Sequence, residues 1–199
     1  MLTGSLFGIA GLYVMYFIEN GEFGGISFFG AFFFGPIGVL LSSYLVKLSK
    51  DAIEYMMDIA VPAVCIALCV NKVNCAISGC CRGYIMTVLE NGQKVRFPSQ
   101  LVESGVALLT MLLFIWFIRK GLLKGHLYAL YMVVYGVERF ILTFFRDNSQ
   151  ITGLPMGQIW SLVSFVIGAS YLYIRYLRRN AEREKERMKT NRASHKAHR

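Results

Sequence analysis

Apolar residues along the chain gather into six long stretches, and polar residues collect between them. A helix rises ~1.5 Å per residue, so about 20 apolar residues cross the ~30 Å hydrocarbon core of a bilayer. The pattern therefore predicts six transmembrane helices, at residues 2–18, 26–46, 53–71, 99–118, 126–145 and 156–176. The predicted fold class is all-α, a polytopic membrane helix bundle in which the long outer segment 72–98 resembles a re-entrant loop.

The composition supports a membrane protein. Of the 199 residues, 55% are hydrophobic and 17% are charged, whereas about 25% are charged in soluble domains. This balance excludes a single soluble domain, a disordered chain and a secreted disulfide scaffold. The segment Met1–Leu6 contains no Lys or Arg, and no small-residue cleavage site precedes Glu19. The first stretch is therefore predicted to be a retained span rather than a signal peptide.

The basic residues between the spans indicate an orientation. Lys47 and Lys50 lie between spans 2 and 3, three more basic residues lie between spans 4 and 5, and the tail 177–199 carries nine Lys or Arg against three Glu. The positive-inside rule places these segments, and both termini, in the cytoplasm. The tail has no aromatic residues to stack on bases, so we expect no nucleic-acid partner. We expect a disordered tail that contacts anionic headgroups, following a transmembrane domain at 1–176.

Span 5 contains an arginine at a depth where lipid would surround it. Arg139 lies near the middle of the span, with Glu138 beside it and Tyr135 one helical turn earlier. An ionised side chain inside a bilayer is costly unless it is paired or hydrated. Two interpretations follow: an Arg–Glu pair that holds two helices together, or a buried cation for an anionic ligand.

The outer segment 72–98 places glycine and cysteine next to further cations. Its residues 79–83 read GCCRG, and the flanking glycines let the backbone approach a ligand closely. The cysteine pair has no second pair or His at zinc-site spacing, so no metal site is predicted. A disulfide in this loop stays open as an alternative.

Cations outnumber carboxylates in the predicted outer half of the protein. The cations are Lys72, Arg82, Arg96, Arg139 and Arg146. The carboxylates are Glu103, Glu138 and Asp147. Arginine forms paired, charge-assisted hydrogen bonds with phosphate. The residues therefore predict a membrane protein that handles an anionic lipid or another phosphorylated substrate on its outer side.

Five segments, in the same order, resemble motifs of the bacterial prolipoprotein diacylglyceryl transferases, from about Gly24 to Tyr173. One match is YGVERFILTFFRDN with MGQIWSL, against the family's YGxxRFxxEFFR…GQxLS region. Others are RFPSQLVES against R-x-P-[ST]-Q-L-Y-E, and MMDIAVPAV against L-D-x-x-A-P-A. The last two are NKVNCAISGCCRG against the signature G-R-[IL]-G-N-F-x-N-G-E-x-x-G, and GGISFFGAFFFG against G-G-[LM]-x-x-H-G-G.

The resemblance implies a reaction and a set of site residues. The family transfers the diacylglyceryl group of phosphatidylglycerol to the thiol of a lipobox cysteine in a prolipoprotein, forming a thioether and releasing glycerol phosphate. It implies no cofactor, and a place in the bacterial cell membrane with the active side toward the outer leaflet. Catalytic roles are implied for Arg139 and Tyr135. The predicted substrate-binding residues are Lys72, Arg82, Gly83, Gln100, Glu103, Arg146 and Gly30.

Other positions depart from the family pattern. Phe29 stands where the family has its catalytic histidine, and a phenyl ring can neither accept a proton nor donate a hydrogen bond. Lys72 replaces the signature arginine, which keeps the charge but loses the fork of donors. Cys75, Cys80 and Thr143 replace an Asn and two Glu residues. Six spans are predicted where seven are usual in the family.

Three hypotheses stay open. The first is a divergent diacylglyceryl transferase that acts on prolipoproteins or a related thiol peptide. The second is a transferase with the same lipid donor but another acceptor or leaving group, and the third is a non-catalytic phospholipid-binding membrane protein. In the first, the proton of the thiol would pass to Glu138, Glu103, a cysteine or the leaving phosphate.

Overall fold

The computed structural model describes residues 2–22, 24–147 and 155–197, with side chains described from Ser5 to Lys189 inside these ranges. This part of the chain forms six helices and one small hairpin. The helices are α1 Leu2–Asn20, α2 Phe28–Leu45, α3 Lys50–Ser78, α4 Ser99–Lys120, α5 Leu127–Thr143 and α6 Met156–Ala197. The strands are β1 Ile85–Val88 and β2 Lys94–Arg96. The predicted all-α bundle is confirmed.

Four of these helices are long and apolar enough to cross a membrane. They are α2, α3, α4 and the part Met156–Lys189 of α6. The helix α5 has 17 residues, which span about 26 Å at ~1.5 Å per residue. The transmembrane placement of α1 and α5 therefore stays a prediction, while their helical structure is confirmed.

Glycines let the helices approach one another closely in pairs. A Cβ atom on Gly30 of α2 would collide with the backbone of Gly11 in α1. On Gly136 of α5 it would lie 2.8 Å from the carbonyl oxygen of Ser161 in α6. In lipid the hydrophobic effect does not drive helices together, so helix pairs are stabilised by close packing at such small residues. Gly136 lies next to Tyr135 in span 5, and its small size by itself predicts such a close approach, which the structure confirms.

The helix α3 is longer than its predicted span. The predicted span ends at residue 71, but the helix continues to Ser78 and stops at Gly79, whose φ of 68° is left-handed. Glycine adopts this conformation without strain, which explains the end of the helix. Lys72 and Cys75 therefore lie on α3 and not in a loop. The outer segment that resembled a re-entrant loop is correspondingly shorter.

The remainder of that outer segment is a loop and a β-hairpin. The strands β1 and β2 are antiparallel, and the turn between them is closed by hydrogen bonds from Leu89 N to Gln93 O and from Gly92 N to Leu89 O, both 2.9 Å. Gly92 has a positive φ of 80°, as a tight turn requires. The sequence ENGQ at Glu90–Gln93 by itself predicts a hairpin turn, and the structure confirms it.

The basic loops lie at the end of the bundle opposite the outer segment 72–98. Asp58 of α3 accepts hydrogen bonds from Gly125 N at 2.6 Å and from Leu127 N at 3.0 Å, so its carboxylate caps the start of α5. Nearby, Glu54 of α3 forms an ion pair with Arg175 of α6. The basic segment 177–197 continues α6 as a helix, where the composition suggested a disordered tail.

We predict that Asp58→Ala destabilises the protein by about 2 kcal/mol, because two backbone N–H groups lose a charged acceptor. Thermal unfolding in detergent measures this loss. The control is Asp51→Ala, which removes an exposed carboxylate from the first turn of the same helix and costs about 0.5 kcal/mol. Equal losses in the two variants would contradict the capping role of Asp58.

Candidate functional site

The carboxylate of Glu103 binds three cations in the interior of the bundle. Its Oε2 atom lies 2.6 Å from Lys72 Nζ and 2.7 Å from Arg139 Nη1. Its Oε1 atom lies 3.7 Å from Arg146 Nε. The four side chains come from α3, α4, α5 and the residues just after α5. We call them the Glu103 cluster.

The Glu103 cluster has more positive than negative charge. Within the cluster three cations face one carboxylate, so the four ionised side chains carry a net charge of +2. Glu19 of α1 is a second carboxylate close enough to interact with the charge of Arg139. The Nε atom of Arg139 is buried and has no hydrogen-bond partner among the residues that the structure describes. A buried charge without full compensation is costly, and a bound anion would remove that cost.

Glu138 is not the partner of its neighbour Arg139. Its Oε1 atom accepts a hydrogen bond of 2.6 Å from Thr110 of α4, while Arg139 reaches Glu103. Arg139 therefore connects α5 to α4 through a glutamate, as expected from the interpretation that an Arg–Glu pair holds two helices together. The same carboxylate is shared with two further cations, however, so a simple neutral pair does not describe the contact.

The start of α4 holds the outer loop in place beside the cluster. Gln100 donates a 2.7 Å hydrogen bond to the carbonyl of Cys80, and Ser99 donates one of 3.2 Å to the carbonyl of Cys81. Gly83 pairs with Arg146 in a short antiparallel bridge. Gln100 and Gly83, both predicted to bind substrate, therefore position the loop and the end of α5.

Gly83 could not be replaced by a larger residue without moving the loop. A Cβ atom there would overlap the carbonyl oxygen of Phe97. The carbonyl oxygen of Gly83 accepts a 3.2 Å hydrogen bond from Arg96, whose guanidinium also pairs with Asp147 at 2.5 Å. This explains the glycine in physical terms: the hairpin backbone and the end of α5 meet here at van der Waals distance.

Three cysteines lie together next to the cluster. The sulfur atoms of Cys75, Cys80 and Cys81 all lie within 4.8 Å of one another. Burial favours the neutral thiol of Cys81, but the positive charges of Arg146 and Lys72 outweigh this effect and hold the pKa of Cys81 below its ordinary value. The sequence pattern does not group these thiols, because it predicts a loop at Cys75 and not the last turns of α3.

Arg82 lies outside the Glu103 cluster. Its Nε atom donates a 2.6 Å hydrogen bond to the carbonyl of Gly79. Its side chain lines an open groove of about 580 Å³, together with Lys94 and Arg96. Of the predicted cations, the structure brings Lys72, Arg139 and Arg146 together and keeps Arg82 apart.

An aromatic layer covers the inner side of the site. The ring of Tyr135 lies 5.9 Å from the ring of Phe29 and 5.1 Å from the ring of Phe32, measured between centroids. Both phenylalanines are buried. Phe29 thus contacts the predicted catalytic tyrosine through its ring alone. Gly30, predicted to bind substrate, instead lies in the contact with α1.

A large apolar cavity lies beyond this layer. It has a volume of about 650 Å³ and is lined by residues of α1, α2, α3, α5 and α6 and by Gly125, and the lining includes Phe32, Phe33 and Trp160. A pocket of this size and character suits an apolar ligand. Phe32 separates it from Tyr135 by a single ring, so an apolar pocket and a cationic site lie side by side.

The family model described as prolipoprotein diacylglyceryl transferase matches residues 7–174. The chain belongs to this family. A curated relative from Clostridium tetani is 30% identical over 156 residues, which are 72% of this chain and 61% of that protein. One from Mannheimia succiniciproducens is 32% identical over 174 residues, 79% of this chain and 63% of that protein.

A third relative, from Dehalococcoides mccartyi strain BAV1, is 30% identical over 182 residues, 84% of this chain and 67% of that protein. All three relatives are named phosphatidylglycerol–prolipoprotein diacylglyceryl transferase. The chain spans 61–67% of the length of these relatives. Family membership is thus established over most of this chain.

We predict that Glu103→Gln destabilises the protein by about 3 kcal/mol, because three cations lose their shared counter-charge. Thermal unfolding in detergent measures the loss, with the exposed Glu90→Gln as a control of equal charge change. Adding Lys72→Met to Glu103→Gln removes one of the uncompensated charges and should restore part of the stability. A double variant less stable than Glu103→Gln would contradict repulsion as the cause.

Proposed function

We propose that this protein transfers the diacylglyceryl group of phosphatidylglycerol to the thiol of a cysteine in a prolipoprotein. The reaction forms a thioether and releases glycerol phosphate. The observation that carries the proposal is the single carboxylate of Glu103 among three cations, inside a chain of the diacylglyceryl transferase family. The names of the relatives support the lipid donor and the protein acceptor.

The cations of the Glu103 cluster would bind the phosphate and stabilise the charge that develops as the C–O bond breaks. Arg139 has a free Nε donor for this purpose. A crevice on the α4 side of Arg139 has a volume of only about 10 Å³, room for about one water molecule. The phosphate would therefore enter from the side of Arg146, which is more exposed than the other members.

The apolar cavity would hold acyl-chain carbon of the lipid donor. Its lining is almost free of polar groups, and it lies one aromatic ring away from Tyr135. Burial of hydrocarbon contributes about 0.8 kcal/mol per CH₂ group. In this arrangement Tyr135 lies between headgroup and chains, near the glycerol carbon that is attacked, as expected for a catalytic residue.

We place the Glu103 cluster toward the outer leaflet of the bacterial cell membrane and both termini in the cytoplasm. The basic loops meet at the opposite end of the bundle, where α3 contacts α6 through Glu54 and Arg175 and the α5 start through Asp58. The positive-inside rule makes this basic end cytoplasmic. Residues 1–176 would then form the transferase domain, and 177–199 a basic tail at anionic headgroups.

Proton removal from the acceptor thiol must differ from that of relatives with a histidine at position 29. Phe29 has no titratable group, Glu103 is occupied by cations, and Glu138 accepts from Thr110. This substitution is the observation that favours a second candidate, a phospholipid-binding protein without transfer activity. An acceptor other than a prolipoprotein is the remaining alternative, and one assay distinguishes all three.

We predict that the purified protein, with phosphatidylglycerol vesicles and a lipobox peptide, releases glycerol phosphate and adds a diacylglyceryl mass to the peptide. Arg139→Ala should slow transfer by at least about 100-fold, because a charged donor at the phosphate is lost. The control is Arg119→Ala, which removes an equal charge at the other end of the bundle. Full activity of Arg139→Ala would refute the site assignment.

Bound phosphatidylglycerol without any transfer would support the binding protein in place of the enzyme. Release of glycerol phosphate without modification of the lipobox peptide would indicate another acceptor. The two alternatives thus give distinct patterns in the same assay.

We predict that Phe29→His leaves the amount of co-purifying phosphatidylglycerol unchanged. The ring at position 29 contacts Tyr135 and Phe33 but is not part of the Glu103 cluster or of the cavity lining. Lipid extraction and mass spectrometry of the purified variant measure this. A clear loss of bound lipid would show that position 29 belongs to the lipid site and not to the proton-transfer position.

A further inference from the structure

The end of α3 and the loop after it place three thiols at one point. Cys75 is half-buried on the last turns of the helix, and Cys80 and Cys81 are exposed just after its end. Their sulfur atoms lie within 4.8 Å of one another. Zinc bound by thiolates has Zn–S distances of ~2.3 Å and tetrahedral angles, which puts the sulfur atoms roughly 3.8 Å apart. Shifts of about 1 Å would bring the three atoms to that separation.

The backbone around these thiols is already fixed. The Cys80 N–H donates a 3.2 Å hydrogen bond to the carbonyl of Cys75, and Cys81 has a positive φ of 55°. Ser99 and Gln100 of α4 donate hydrogen bonds to the backbone carbonyls of Cys81 and Cys80, respectively. Positive φ is rare for a residue with a side chain and persists only where its surroundings enforce it. Hydrogen bonds of this segment to α3 and to α4 therefore hold the three thiols close together.

Cations flank the thiols on two sides. Lys72 precedes Cys75 by three residues on α3 and so shares its helix face. Arg146 forms a β-bridge with Gly83, and Gly83 lies two residues after Cys81 in the chain. Positive charge favours thiolates, which are the form that binds metal. It also offsets the net charge of about −1 that three thiolates and a divalent cation carry together.

We propose that Cys75, Cys80 and Cys81 bind a Zn²⁺ ion through three thiolates, and that its open fourth position takes the thiol of the acceptor. The second part rests on the transfer reaction proposed above. Sites with three protein ligands and an open position are typical of catalytic rather than structural zinc. No fourth Cys, His, Asp or Glu joins the three thiols among the residues that the structure describes.

The chemistry balances without a protein base. The acceptor thiol displaces water from the metal and loses its proton to solvent, because zinc favours the thiolate. The bound sulfur attacks the glycerol carbon, the C–O bond to phosphate breaks, and its electron pair leaves on the phosphate oxygen near the Glu103 cluster. The thioether leaves the metal, and water returns. Zinc would thus supply the thiol activation for which Phe29 offers no group.

The first experiment measures metal in the full-length protein, purified without chelator and reconstituted with Zn²⁺ or Co²⁺. We expect one zinc ion per chain, and thiolate-to-metal absorption bands for Co²⁺. The variants Cys75→Ser, Cys80→Ser and Cys81→Ser should each lose the stoichiometric metal. The matched control is Cys69→Ser on the same helix, whose hydrogen bond to Ser104 a serine can keep.

Retention of metal in all three variants, or no metal in the wild-type protein, would overturn the site. A mass lower by two hydrogens, together with failure of two of these cysteines to react with iodoacetamide after purification under reducing conditions, would also overturn it, because the thiols would then form a disulfide.

The second experiment measures transfer to the lipobox peptide against pH. With zinc, the rate should already be high at pH 7, whereas Cys81→Ser should need a pH near the ordinary cysteine pKa of ~8.5. Phosphatidylglycerol binding should be the same in both, which a general loss of structure would not preserve. Transfer that is zinc-free and insensitive to a chelator would refute the role of the metal and leave the transferase intact. Bound zinc without any transfer would refute the transferase and leave the metal site intact.

Discussion

The contact on which the site depends is one carboxylate shared by three cations. Glu103 joins α3, α4 and α5 at a single point inside the bundle, through Lys72, Arg139 and Arg146. In water such contacts are weak, but in a water-poor interior each unpaired charge is expensive. Removal of Glu103 would therefore be costly, and the four ionised side chains together carry a net charge of +2. In the proposed reaction, a phosphate group would supply further negative charge at this cluster.

The surroundings of this cluster divide into a charged side and an apolar side, which would match the headgroup and the acyl chains of the proposed phospholipid. Polar and charged groups lie on the side of the loop and of Arg146, and the apolar cavity lies on the far side of Phe32 and Tyr135. The boundary is a single aromatic layer, and the bond that the proposed reaction breaks would lie at that boundary. A tyrosine suits this position because it combines an apolar ring with one polar atom.

The phenylalanine at position 29, where the family resemblance implies a histidine, has a counterpart elsewhere in the chain. Phe29 places no titratable group in the aromatic layer, whereas the three thiols at the end of α3 and just after it are ionisable groups near the cations. Lys72 and Arg146 lie near both the proposed phosphate position and the thiols. The same two charges can therefore stabilise a thiolate nucleophile and a phosphate leaving group, which are the two anions of an alkyl transfer to sulfur.

The sequence by itself determined the features that follow from local chemistry. Apolar runs of membrane length predicted all six helices, the Asn91–Gly92 turn predicted the hairpin, and the spacing of Tyr135 and Arg139 placed them on one helix face. The motifs also identified the family, which the comparisons confirm. The sequence predicted the helix ends less well. The charged Lys72 suggested the end of a span, but its ion pair with Glu103 in the interior allows α3 to continue until Gly79 ends it.

Only the tertiary structure decided which polar groups meet. Glu138 is adjacent to Arg139 in sequence, yet successive helix residues point about 100° apart, so Arg139 reaches Glu103 and Glu138 reaches Thr110. In the sequence, Arg82 and Arg146 are equivalent as predicted outer cations. In the structure, Arg146 forms a β-bridge with Gly83 and reaches Glu103, whereas Arg82 lies outside the cluster. Cys75 joins Cys80 and Cys81 because α3 extends far enough to place it there. Such contacts depend on how separate helices pack, and no pattern along one helix contains that information.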